Sequence, residues 1–211
     1  KKKILVLTTT YPRWVGDVEP AFVHNLSVEL ARHYDVLVLT PHTRNAAVNE
    51  VMDGVNIKRY RYLPFHWQGL CYDGGIVPKL KSQPFRAVEI PFLLLGMLWQ
   101  GWWQIRQHKI DVIHAHWVIP QGFIAVCLSL FTGRKIKVLV TSHGADLYAL
   151  KSPLLVRLKQ WVFKQASCAA VVSEAMQSYC VEVLKLDSAP VVASMGVDCQ
   201  HKFVARTPMS E

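Results

Sequence analysis

Short apolar, β-branched runs alternate along this chain with longer stretches whose apolar residues recur at helical spacing. No other feature restricts the fold as much. Residues 4–7, 36–39, 55–60, 112–113, 138–140, 169–172 and 191–192 read as strands. Between them, Phe22, Val23, Leu26, Val28, Leu30 and Ala31 form an apolar helical stripe behind Pro20, a residue favoured in a first helical turn. Further helices are expected over 90–105, ending near His108, over 121–131 and stopped by Gly133, and over 153–165. Another is capped by Ser173, with Glu174 at its positive end, and runs to about Leu184. The Pro-, Gly- and aromatic-rich stretch 63–84 reads as an ordered loop. Strands separated by helices imply a parallel sheet covered on both faces. The expected architecture is therefore α/β, a Rossmann-like parallel sheet of about seven strands.

The 211 residues suffice for one sizeable α/β domain, and a 51% hydrophobic composition supplies its core. A net charge of +9 favours anionic partners without choosing among nucleic acid, anionic lipid and phosphorylated small molecules. The 5 cysteines form no C-x-x-C pair and lack zinc-finger spacing to histidine. Cys127 and Cys168 lie in apolar runs and read as buried hydrophobes. The odd number argues for a reducing, cytoplasmic setting. The opening Lys-Lys-Lys leads directly into a strand, without the apolar region and cleavage site of a signal peptide.

In parallel sheets, ligands bind at the carboxyl ends of strands, and three loops there carry chemistry. The first, Thr8-Thr9-Thr10-Tyr11-Pro12-Arg13-Trp14-Val15-Gly16-Asp17, has one glycine and so is no G-x-G-x-x-G dinucleotide turn. An ordinary βα loop and a close backbone approach to an anion at Gly16 both fit it. The second, His114-Ala115-His116-Trp117, sets two histidines on one side of a continuing strand. No nearby Cys, Asp or Glu completes a ligand set, so neither a metal nor another cofactor is expected. The third, Thr141-Ser142-His143-Gly144-Ala145-Asp146, is a polar cluster that must pair or meet a ligand. It lacks the G-x-S-x-G elbow of a hydrolase.

These loops, in this order, resemble the N-terminal half of family-four retaining glycosyltransferases of the GT-B fold. The resemblance runs from the opening strand-loop-helix with Tyr-Pro and Gly-Asp, through Asp111-Val112-Ile113-His114-Ala115-His116 and Val140-Thr141-Ser142-His143-Gly144-Ala145-Asp146. It continues through Val171-Val172-Ser173-Glu174 to Gly196-Val197-Asp198, where Met195 replaces the usual Asn. It implies an acceptor-side domain over 1–195, an interdomain linker over 196–211, and a separate donor-binding domain outside this chain. By resemblance, Gly16, with Asp17 beside it, faces the donor diphosphate and His143 sits by the reacting sugar as the catalytic residue. His116, Asp146 and Tyr11 are acceptor-side contacts. The implied activity moves a sugar from a nucleotide-sugar donor to a glycan or lipid-linked acceptor, with retention and without metal. On that view the chain alone is inactive; the alternative is a non-catalytic subunit that recruits acceptor or membrane. Glu174 and Glu182 mimic the family's donor-domain glutamate pair, but their helix belongs to this domain and lacks the Gly-rich context.

The run 92–105 contains Trp99, Trp102 and Trp103 and is apolar on all sides, yet it is shorter than the roughly 20 residues of a membrane span. It reads either as a helix buried against the sheet or as an interfacial helix on an anionic membrane surface. No helix-turn-helix, RNA-recognition or zinc signature accompanies the charge, so nucleic acid is not an expected partner.

Overall fold

Residues alternate in polarity of destination along the central strands, and this alternation builds a two-sided core. The computed structural model describes residues 1–196 apart from 18, 73 and 150, and at Phe65 the backbone only. The strands are β1 (Lys3–Leu7), β2 (Asp35–Pro41), β3 (Asn49–Met52), β4 (Val55–Tyr60), β5 (Val112–His116), β6 (Lys137–Ser142), β7 (Cys168–Val171) and β8 (Val191–Val192). The helices are α1 (Phe22–Ala31), α2 (Ile76–Ser82), α3 (Glu89–His108), α4 (Phe123–Phe131), α5 (Ala145–Ala149), α6 (Pro153–Gln165) and α7 (Glu174–Glu182). Ile4, Val6, Val36 and Val38 pack with α1. Leu5, Leu7 and Leu39 point the other way, into the cluster formed with α3, α4, α6 and α7. Two-sided burial of this kind is what a parallel sheet requires.

Among the described residues, the sheet has 8 strands in the order β3-β4-β2-β1-β5-β6-β7-β8. It is parallel except at β3, which pairs antiparallel with β4 from Asn49↔Lys58 to Met52↔Val55. The expected seven strands thus become eight. Asp53 and Gly54 both take positive φ (49° and 81°), the geometry of a two-residue type I′ hairpin turn.

The stretch 63–84 is more than a loop. It contains α2 and buries Leu70, Cys71 and Tyr72. The Tyr72 hydroxyl donates to the Pro41 carbonyl (2.9 Å) at the end of β2. Ser152 and Ser173 cap α6 and α7, accepting from Leu155 N–H (3.4 Å) and Met176 N–H (3.3 Å). Cys168, expected inside, is exposed at the start of β7. Of the linker expected over 196–211, only Gly196 is described. Among the described residues, no helix is long and apolar enough to cross a membrane.

Candidate functional site

Strand β1 lies between β2 and β5, so the direction of winding reverses there. A crevice opens at the carboxyl ends where such a sheet reverses, and the loops after β1, β5 and β6 meet at that place. Gln121 joins two of them. Its carbonyl accepts from Thr9 N–H (2.9 Å) and the Thr9 hydroxyl (2.7 Å), while its NH2 group donates to the His116 carbonyl (3.3 Å).

The loop after β1 is held from several sides. The Arg13 guanidinium grips the Asp17 carboxylate (2.8 and 2.7 Å), and Arg13 N–H donates to the same group (2.8 Å). Gly16 between them has φ 80°, and a Cβ added there meets nothing within 4 Å. Glycine is therefore needed for backbone conformation, not for space. Beneath, the buried Arg59 donates to the carbonyls of Pro12 (2.7 Å) and Ala47 (2.9 Å) and pairs with Glu50. Tyr11 is fully buried. Its hydroxyl bonds to His24 Nδ1 (2.7 Å), and His24 Nε2 bonds to Asp53 (2.9 Å). Burial pushes the Tyr11 hydroxyl well above its ordinary range and keeps it protonated.

Across the crevice, three imidazoles form a stack. His114 and His116 have ring centroids 4.3 Å apart, and His116 and His143 5.2 Å. His116 Nδ1 and His143 Nε2 share a hydrogen bond of 2.9 Å, and His114 Nε2 bonds to the Thr141 hydroxyl (3.0 Å). Burial holds His114 and His143 down to about 4, with His143 also opposing a charge on His114. Burial, with both neighbours adding to it, pushes His116 well below the ordinary histidine range. At neutral pH all are uncharged, so in the His116–His143 pair one ring donates and the other accepts. Phe22 and Trp117 flank the His143 ring, at 4.8 and 5.0 Å. Trp117 itself has φ 75° and ψ 139°, a region that costs a residue other than glycine about 1–3 kcal/mol. Its N–H donates to the Thr141 carbonyl (2.7 Å), which holds it there.

Asp146 clamps the two loops. Its carboxylate accepts from Val118 N–H (2.6 Å) and from the Ser142 hydroxyl (2.9 Å). Burial pushes its carboxyl up, against the pull of those bonds. Behind it, the buried Lys159 ammonium donates to the Leu147 carbonyl (2.6 Å).

The structure thus brings His116, His143 and Asp146 together, and places Gly16 and Asp17 in the facing loop. Tyr11 stands apart, inside the core under α1. Thr9, Phe22, Arg59 and Gln121 build the crevice too, although sequence reasoning gave them no role in it. Their partners lie far off in sequence, 112 residues in the Thr9–Gln121 case. Among the described residues, no group of three or more His, Cys, Asp or Glu side chains is arranged to hold a metal ion. A cavity of about 580 Å³ lies elsewhere, lined by Lys3, Asp35, Gln104 and His108 at the amino edge of the sheet.

Residues 20–194 match the family pattern of the glycosyl transferase 4-like domain. Over 81 residues the chain is 28% identical to N-acetyl-alpha-D-glucosaminyl L-malate synthase of Bacillus anthracis, an alignment covering 38% of this chain and 21% of that enzyme. Its fold is similar to that of UGT73P12 from Glycyrrhiza uralensis, solved with glycyrrhetinic acid 3-O-monoglucuronide. That likeness has a TM-score of 0.53 at 12% identity, and covers 92% of this chain and 48% of the other. The chain therefore spans about half of the solved relative and matches about a fifth of the sequence relative. A parallel sheet with its crevice at the β1/β5 reversal, and a family match over most of the length, make this chain a member of the glycosyl transferase 4-like domain family, with the Rossmann-like fold of a GT-B N-terminal domain.

Proposed function

We propose that this chain is the acceptor-side half of a retaining glycosyltransferase, which moves a sugar from a nucleotide-sugar donor to a glycan or lipid-linked saccharide. A second domain supplies the nucleotide site, and the acceptor is met at the cytoplasmic face of a membrane. The observation that carries this reading is the neutral His143 imidazole, held over the ends of β5 and β6 by His116, Trp117 and Phe22.

In this reading His143 is the residue beside the reacting sugar, where an uncharged imidazole hydrogen-bonds a hydroxyl without adding charge. The loop at Gly16 presents backbone N–H groups to the donor diphosphate. Asp17 serves that loop through Arg13 and does not itself touch the donor, because a carboxylate repels a diphosphate. His116 and Asp146 are positioning residues: both are buried, His116 Nδ1 is bonded to His143, and both Asp146 carboxylate oxygens are engaged within the protein. Tyr11 pins the loop from below. The acceptor proton passes to a donor phosphate oxygen on the face the sugar leaves, so the protein contributes orientation and electrostatic stabilisation.

The test is a transfer assay on the chain joined to its donor domain, with a panel of nucleotide-sugars and saccharide acceptors. The anomeric configuration of the product is read by NMR. Retention is expected, and an inverted product, or no transfer from any donor, would overturn the reading.

A further inference from the structure

Helix α3 is buried along one side only. Leu93, Met97, Gly101, Gln104 and Ile105 face the core. On the opposite side, Val88, Phe92, Leu95, Trp99 and Trp103 stand between 46% (Phe92) and 67% (Val88) exposed. Val88 immediately precedes α3 and is itself helical (φ −62°, ψ −22°). Spaced i, i+4, i+7, i+11 and i+15, these residues form one continuous apolar strip, roughly 22 Å long at 1.5 Å per residue. The one carboxylate of α3, Glu89, is buried and takes bonds from Arg86 (2.6 Å), the Tyr62 hydroxyl (3.0 Å) and Gly69 N–H (3.1 Å). The strip therefore carries no negative charge.

At its C-terminal end the strip meets a basic edge. Arg106 lies 4.8 Å over the Trp102 ring. Lys109 leads to the start of β5, and Lys2 and Lys137 are tied to the same edge through Lys2 O to Asp35 N (3.0 Å) and Asp111 O to Lys137 N (3.1 Å). Arg134 and Lys135 stand beside them, and all six side chains are exposed, against Asp35 and Asp111. On α4, which packs on α3, Leu130 and Phe131 are also exposed, just before Arg134.

We infer that the outer face of α3, with the basic edge at its foot, is a docking surface for an anionic lipid bilayer. An apolar strip bearing tryptophans lies at the headgroup level, and the flanking cations meet lipid phosphates. Charge complementarity selects this occupant: an uncharged protein partner needs no basic rim, and a second copy of the chain would set like charges against each other. The N-terminal half of α3 packs at Tyr60, the carboxyl end of β4. A domain resting on α3 therefore opens its crevice along the membrane surface, where the head of a lipid-linked acceptor stands. Only the choice of acceptor setting rests on the function proposed above; the docking surface stands or falls alone.

The experiment floats the full chain with vesicles of phosphatidylcholine, alone or mixed with phosphatidylglycerol, at low and high salt. Brominated lipids report tryptophan depth by quenching. Binding to the anionic vesicles only, weakened by salt and accompanied by quenching, is expected. Trp99→Gln/Trp103→Gln abolishes the quenching, and Arg134→Gln/Lys135→Gln lowers the partition about 30-fold. Trp67→Gln, at an exposed site off the strip, leaves both unchanged, and matching thermal melts show that the variants are folded. No flotation, equal binding to neutral vesicles, strip variants that bind like the parent, or a concentration-dependent dimer that buries the tryptophans would each overturn the proposal. None of these readouts uses a sugar donor, so failure of transfer leaves this result intact.

Discussion

Lowering the pH should destabilise this domain through the imidazole stack, and His114 allows the size to be worked out. It is buried, and its folded-state value is about 4, against about 6.5 for an exposed histidine. A group depressed on folding binds fewer protons folded than unfolded. Its contribution is fully present above 6.5 and is lost as the pH falls toward 4. At 1.36 kcal/mol per unit, His114 alone removes about 2.5 kcal/mol between pH 7 and pH 4.5. His116 and His143 act in the same direction. Urea unfolding of the parent and of His114→Gln at both pH values reads this contribution, with the coupling of His114 to His116 and His143 included in it. The variant starts less stable, having lost the bond to Thr141, but its stability should fall by about 2.5 kcal/mol less on acidification. Parallel losses, equal within about 0.5 kcal/mol, would mean that His114 is not held neutral by burial, and the electrostatic account of the crevice would fail.

Other substitutions separate structure from function. Gly16→Ala meets no steric obstacle and should cost about 1–2 kcal/mol of backbone strain in chemical denaturation, while weakening donor KM more than kcat; an unchanged KM would remove the loop from the donor site. Asp146→Ala strands the Val118 N–H and the Ser142 hydroxyl, and should lower stability by about 3–5 kcal/mol. Asp146→Asn, which keeps one acceptor, should lose less than half of that, and calorimetric melts of the pair decide it. His143→Ala should reduce kcat about 100-fold or more and lower stability by about 1–3 kcal/mol, since it leaves the buried His116 Nδ1 without its partner; a kcat within a few-fold of the parent would place the chemistry elsewhere.

The strand-helix alternation was legible because buried parallel strands are short unbroken apolar runs, and here they end where the polar loops begin. Strand β3 is hidden in the sequence, although Asp53-Gly54 is a strong hairpin signal. Its sequence, Asn-Glu-Val-Met, has the half-exposed polarity of an edge and little β-branching. Helix α2 hides behind Pro78, which the first turn tolerates because its N–H would be unpaired there in any case. In the crevice, the period-two spacing of His114 and His116 put both on one side of β5 in advance. Their stacking on His143 follows from the β5–β6 register, His116 opposite Thr141, and a single sequence does not display register. Asp146 and Tyr11 were recognisable as polar groups near strand ends. Whether such a group opens to a ligand or bonds inward depends on long-range neighbours, here Val118 and His24.

Calorimetric titration with UDP- and GDP-sugars tests the central claim most directly, comparing the 211-residue chain with the same chain joined to a donor-binding domain. Heat of binding from the joined protein alone is predicted, since this chain contributes the acceptor side and the loop at Gly16. Tight, saturable binding by the 211-residue chain alone would contradict the account, because the chain would then hold a complete donor site of its own.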